Sequence, residues 1–227
     1  MRNYTVNWGR FLVIRWFVAS WLLHGVHVLD KTERLLYILF ELLALVLCYV
    51  VMMLCGVNCW VWYLVAFIIL HTITWLIDSH WLVGYREVNK NFRGKGINSV
   101  IEFLEYSKQK LAHYENIEAI GVYGSISRRM YHDRSDLDLR IIQNAFSLPL
   151  FFDVQKLRFI GIWKYKIPLD LKLVDSVEYV KNEMRDDEKP VMIYKKHDSF
   201  YNEGVSFEEL KNDSEKFTKA YTLMQQS

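Results

Sequence analysis

Ser135-Asp136-Leu137-Asp138-Leu139 sets two carboxylates at alternate positions of an apolar run. In a strand the side-chain period is two, so Asp136 and Asp138 share one face while Leu137 and Leu139 enter the core. The alternation continues to Ile142 and predicts a strand over 137–142. Upstream, 117–123 reads as another strand. Gly124-Ser125 then opens a short helix or tight turn, and a polar loop with His132, Asp133, Arg134 and Ser135 leads into the carboxylate strand. Downstream, 150–164 reads as a helix and 167–174 as a third strand. Pro168 near the start of that strand is tolerable at an edge or at a first position. Ahead of these lies an amphipathic helix over 97–115, with Ile97, Val100, Ile101, Leu104 and Leu111 at helical spacing. Beyond them, 176–187 reads as a charged helix, Pro190–Tyr194 as a short strand, and Ser206–Glu209 as a capping box opening a terminal helix to about Tyr221. The expected fold is α+β, a mixed sheet with flanking helices.

In the third strand Ile167, Leu169, Leu171 and Leu173 form one face, and Asp170 and Lys172 the other. Pairing with the carboxylate strand would bring Asp170 beside Asp136 and Asp138. Three clustered carboxylates repel one another unless a hard cation sits among them. Mg²⁺ (or Mn²⁺) takes such oxygen ligands and keeps positions for substrate phosphates. Bound there, it would support phosphoryl or nucleotidyl transfer. Gly124 permits close backbone approach, and Ser125 offers a hydroxyl to phosphate. Arg128 and Arg129 are either phosphate contacts or a surface pair, and Lys172 faces the carboxylates as a phosphate ligand or a charge balance. His197 reads as a surface residue rather than a base.

Gly124-Ser125, then Asp136-x-Asp138, then a lone Asp170 in a later strand resembles the nucleotidyltransferase fold of the polymerase-beta superfamily, closest to its minimal members. The resemblance covers about residues 97–200. It implies that Gly124 and Ser125 bind the triphosphate of a nucleoside triphosphate, and that Asp136 and Asp138 hold divalent ions. Asp170 would complete the catalytic and metal site and help activate the attacking hydroxyl. The chain departs from the pattern where many relatives carry a second Gly shortly after the Gly-Ser pair. Here the stretch is Ile126-Ser127-Arg128-Arg129-Met130, with Arg129 at that place.

The N-terminal part obeys a different solvent. From Leu35 to Ile77 the one formal charge in 43 residues is Glu41. A single helix of that length would run about 65 Å, against a hydrocarbon core roughly 30 Å thick. Two spans are expected, about 35–55 and 59–77, broken at Cys55-Gly56-Val57-Asn58. Lys31 and Arg34 precede the first span, and Arg86, Lys90, Arg93 and Lys95 follow the second, which predicts both ends on the cytoplasmic side. Residues 9–29 carry Arg10, Arg15, His24 and His27 among aromatics and suggest an interfacial or re-entrant helix. No cleavable signal pattern is evident in this segment. Glu41, His71, Asp78 and His80 are the polar groups of the region. They read as packing partners or as a polar rim for a lipid-linked substrate; a zinc site of His71, Asp78 and His80 is the least natural reading. Cys48, Cys55 and Cys59 read as apolar-environment thiols rather than metal ligands. The expected organisation is a membrane domain over 1–85 and a cytoplasmic domain over 86–227.

Seven of eight Trp but only nine of 54 charged residues lie in residues 1–81. The net charge of +2 argues against a disordered polyelectrolyte and against a nucleic-acid-seeking chain. No clustered basic face or aromatic ladder points to a nucleic-acid polymerase. The leading expectation is a membrane-anchored nucleotidyltransferase moving a nucleoside monophosphate to a membrane-proximal acceptor: a lipid, a lipid-linked sugar or a sugar phosphate. Two alternatives are a catalytically inactive nucleotide-sensing membrane protein and a protein-modifying nucleotidyltransferase. A homo-oligomer formed through the membrane helices is left open.

Overall fold

The computed structural model describes residues 14, 18–22, 31–57, 59–77, 80–185, 188–197 and 204–226. Two apolar helices come first, α1 (Lys31–Leu54) and α2 (Trp60–Ile77), both long and apolar enough to cross a membrane. Only 6% of each apolar window is buried, so neither is a core helix of this chain. The turn between them follows from Gly56. It adopts φ +71°, and the Gly56 and Val57 amides donate to the Met53 and Met52 carbonyls at 3.0 Å. That is the paired 5→2 and 6→1 closure which a left-handed glycine permits at a helix end.

The polar groups of this hairpin satisfy one another. His71 Nδ1 lies 3.4 Å from Glu41 Oε2, and Thr74 Oγ1 donates to Glu41 Oε1 at 3.0 Å. His71 Nε2 is 2.8 Å from the Trp21 carbonyl. This is the packing role for Glu41 and His71, since a charge in lipid turns toward a partner helix. Of the segment expected over 9–29, only Ile14 and a π-helical turn, Val18–Leu22, lie among the described residues. Arg10, Arg15, His24, His27 and Asp78 lie outside them, as does the side chain of His80.

A short helix, α3 (His80–Val88), follows the hairpin, where the sequence suggested the end of a span and then a linker from 86. Trp81 packs on Trp75 and Trp163, with ring centroids 5.7 and 6.1 Å apart, and this aromatic contact holds the helix against the rest of the protein. Then come α4 (Ile97–Leu111), β1 (Ile117–Tyr123), α5 (Gly124–Ser127), β2 (Leu137–Gln143), α6 (Leu148–Trp163) and β3 (Leu169–Val174). The chain continues through α7 (Val177–Glu183), β4 (Val191–Lys195), β5 (Val205–Ser206), α8 (Phe207–Asn212), a 3₁₀ turn at Ser214–Phe217 and α9 (Lys219–Gln226). Serines cap three of the helices. Ser147, Ser176 and Ser206 accept from the amides of Leu150, Tyr179 and Glu209, each cap contributing about 1 kcal/mol. The terminal helix expected from the capping box is broken into three pieces.

The five strands form one mixed sheet in the order β3-β2-β1-β4-β5. β2 and β3 are parallel, and β1 is antiparallel to both β2 and β4. Pro168 stands just before edge strand β3 and contributes only its carbonyl, which accepts from Leu137. One sheet face carries the main core. There Leu137, Leu139, Ile141, Leu169 and Leu171 are fully buried with Phe103 and Leu104 of α4 and Val154 and Leu157 of α6. The other face is thinly covered, with Val180 of α7 against Ile142 and Val174.

The start of α1 belongs to this core rather than to the hairpin. Glu33 and Arg158 are buried to 1% and 0% exposure and pair at 2.5 Å. Arg158 also donates to the Tyr37 hydroxyl at 2.8 Å and to the Leu171 carbonyl at 2.6 Å. Phe40 stacks on Phe151 at 5.7 Å. The first apolar helix is therefore bolted to α6 and β3.

Candidate functional site

The parallel register of β2 and β3 pairs Asp138 with Asp170 and Arg140 with Lys172. With a side-chain period of two, these four share the thinly covered face. Above them β1 ends in Gly124, at φ +69°, where the chain turns sharply into α5. A Cβ at Gly124 would stand 1.8 Å from Asp138 Oδ2. No residue but glycine fits, on backbone and on space alike. Gly124→Ala is expected to lower stability by about 1–2 kcal/mol from its φ alone and to displace the Asp138 carboxylate. Thermal melting and nucleotide titration together read this, and unchanged values in both would overturn the account.

Between the Gly124 turn, the β2–β3 face and the end of α7 lies a cavity of about 400 Å³. Gly124 and Asp138 form part of its wall, with Arg128, Arg140, Lys172 and Arg185 as its cations. Glu188 is its second acid and pairs with Arg128 at 3.4 Å. Four cations against two carboxylates make a polyanion pocket. Lys172 is 6% exposed and its ammonium sits 5.9 Å over the Tyr179 ring. Ser125 flanks the cavity without lining it, and its Oγ is buried with no hydrogen bond among the described residues.

The carboxylates are held unequally. Asp170 Oδ2 takes Arg140 Nη2 at 2.8 Å, and the Asp170 carbonyl takes Arg140 Nη1 at 2.7 Å. Asp136 Oδ2 takes Arg86 Nη2 at 2.9 Å, and the same guanidinium donates to the Arg134 carbonyl. Asp138 lies 3.9 Å from Arg140 Nη2 and shares a side-chain hydrogen bond with Asp170. Burial, then repulsion from Asp136 and Asp170, pushes the Asp138 carboxyl up to about 7, with Arg140 opposing. The folded protein therefore keeps a proton on Asp138 that the unfolded chain releases near pH 4. The associated stability is fully present below about pH 4 and is lost as pH rises through about 7. In metal-free buffer the melting temperature should fall more steeply between pH 5 and pH 8 for the parent protein than for Asp138→Asn. Parallel pH profiles would show that Asp138 is not the group responsible.

The donor set suits a hard divalent ion, because all three aspartates offer oxygen and Asp138 lacks a close cation. Among the described residues no three acidic, His or Cys side chains already converge as a ligand group. Two of the three aspartates are engaged by arginine instead. Asp136 and Asp138 are the residues that would hold the ion, Asp136 on release from Arg86. Asp170 is the least available.

Of the residues singled out in the sequence, Gly124, Asp138, Arg128 and Lys172 meet at the cavity, with Asp170 beside them. Arg129 does not. It pairs with Glu209 at 2.9 Å and lies over the Phe217 ring at 5.3 Å, tying α5 to the C-terminal helices. Its φ of +58° is a left-handed conformation that a non-glycine residue rarely adopts. His197 is exposed near Glu118. Sequence reasoning missed Arg140, Arg86, Arg185 and Glu188. Arg140 had a signal, since it continues the alternation of Asp136 and Asp138. Arg86 had none, being fifty residues from its partner.

In comparisons with known proteins, the chain matches no family model and no curated protein.

Proposed function

We propose that the protein is a membrane-anchored, Mg²⁺-dependent nucleotidyltransferase whose catalytic part faces the cytoplasm. The observation that carries this reading is the register of Asp138 with Asp170 directly beneath a glycine turn, at the wall of a cavity rich in cations. Arg128, Lys172 and Arg185 neutralise the phosphates of a nucleoside triphosphate and hold the chain of phosphates in line. Asp136 and Asp138 bind the divalent ion, which when present neutralises charge on the transferring phosphoryl oxygens. Asp170, oriented by Arg140, accepts a hydrogen bond from the acceptor hydroxyl. The acceptor oxygen forms a bond to the α-phosphorus, the α–β bridge breaks, pyrophosphate leaves, and the acceptor proton passes to solvent through Asp170. The hairpin supports a membrane acceptor, a lipid, lipid-linked sugar or sugar phosphate, because it concentrates the site at the bilayer.

The test uses the full chain in lipid nanodiscs with Mg²⁺, α-labelled nucleoside triphosphates and a membrane lipid extract. Pyrophosphate release with label in the lipid fraction is expected. The ion pairs Arg86–Asp136 and Arg140–Asp170 favour one second reading, a nucleotide sensor whose carboxylates are kept occupied. Saturable nucleotide binding with no pyrophosphate from any acceptor would select it.

A further inference from the structure

Helix α6 has two faces of different fate. Leu150, Val154, Leu157 and Ile162 enter the core, whereas Phe152, Phe159 and Trp163 are 46%, 46% and 51% exposed. At 100° per residue these three fall within an arc of about 40° on one side of the helix. Three large aromatics in one stripe on an exposed face mark an interaction surface.

Its surroundings identify the occupant. Phe40, on the first apolar helix, packs edge-on against Phe152 with centroids 5.7 Å apart. A groove of about 680 Å³ runs between Ile77, the last residue of the second apolar helix, and Phe152, Phe159 and Ile160 of α6. Gln155 and exposed Lys156 also line this groove, so the stripe adjoins the exposed apolar surface of the hairpin and carries a lysine of its own. At the C-terminal end of α6, Lys164 and Lys166 are exposed, and exposed Lys95 donates to the Lys164 carbonyl at 2.9 Å. An apolar aromatic stripe with lysines at its margin is the pattern of a surface that settles into the interfacial layer of an anionic bilayer.

We propose that the outer face of α6 is a membrane-contact surface: Phe152, Phe159 and Trp163 insert among the headgroups beside the hairpin, and the groove at Ile77 receives a lipid chain. The inference rests on reading the hairpin as membrane-spanning, and it fixes the orientation of the sheet and its cavity relative to the bilayer.

The experiment places single spin labels at Phe159→Cys, Trp163→Cys, Val46→Cys and Glu208→Cys in the full chain. Cys48, Cys55 and Cys59 are replaced by Ala, and the protein is reconstituted in nanodiscs containing phosphatidylglycerol. Collision with oxygen, which partitions into lipid, is compared with collision with a water-soluble nickel chelate. Labels at 46, 159 and 163 are expected to favour oxygen, and the label at 208 to favour nickel. If 159 and 163 behave like 208 while 46 stays in lipid, the α6 inference is overturned and the hairpin reading survives. Shielding of 159 and 163 from both reagents means that a second protein copy covers the stripe, which also overturns it. A label at 46 that favours nickel removes the membrane reading and the inference with it.

Discussion

Asp138→Asn should reduce pyrophosphate release by about 10³-fold or more while leaving nucleoside triphosphate binding within about tenfold of the parent. The magnitude follows from removing one group of a preorganised charge-stabilising array, which acts on the transition state rather than on ground-state affinity. Asparagine preserves shape, so the close approach to Gly124 is undisturbed. It removes the one aspartate with no close cation, and with it the most available ligand for a divalent ion. Affinity is held instead by Arg128, Lys172 and Arg185, which the substitution does not touch. Arg129→Ala is the internal control. That side chain binds Glu209 and Phe217 away from the cavity and should leave turnover near the parental rate. An Asp138→Asn protein with the parent's rate would sink the catalytic reading.

The second large effect concerns stability. Glu33→Ala should destabilise the protein by about 3–5 kcal/mol, because it removes the carboxylate that balances the buried Arg158 guanidinium. Arg158 is fully buried and Glu33 nearly so. Arg158 also donates to the Tyr37 hydroxyl, Gln155 and the Leu171 carbonyl, which are neutral groups and do not replace the charge of Glu33. The double substitution Glu33→Leu with Arg158→Met should recover much of the loss, since an apolar pair avoids burying either ion. Thermal unfolding of the solubilised full chain measures both. A Glu33→Ala protein as stable as the parent would mean that α1 is not held to α6 and β3 in this way. The pair joins residues far apart in sequence, so its loss should also loosen the start of α1 from α6, where Tyr37 and Phe40 remain in contact.

Period-two alternation made β2 and β3 legible, and β1 falls where 117–123 reads as a strand. The mixed α+β architecture with two apolar helices ahead of it was legible on the same grounds. So was the meeting of Asp138 with Asp170, since two adjacent parallel strands align residues at matching steps of their repeat. Helix α3 was hidden because its nine residues mix Trp81 and Leu82 with Arg86 and Glu87, and so look like a span end and a linker. The Glu33–Arg158 pair was invisible because neither residue carries a local signal of its partner. The breaks near Asp213 and Thr218 in the terminal segment were missed because its helical pattern is weak and its docking runs through Tyr131 and Arg129. Arg129 was weighed as a phosphate contact from its type, whereas its left-handed backbone turns it toward α8 instead.

The anchoring of α1 to the sheet has one more implication for the proposed enzyme. A catalytic part on a loose tether samples many heights above the bilayer and serves any acceptor in the vicinity. Here Glu33, Tyr37 and Phe40 clamp the sheet to one apolar helix, and Arg86 of α3 reaches from the end of the other to Asp136. If the hairpin spans a membrane, the cavity would stand at a constant elevation and the proposed enzyme would act as a ruler. It would favour acceptors whose reactive oxygen projects from the membrane by one set distance, so that selection is made by length before chemistry begins.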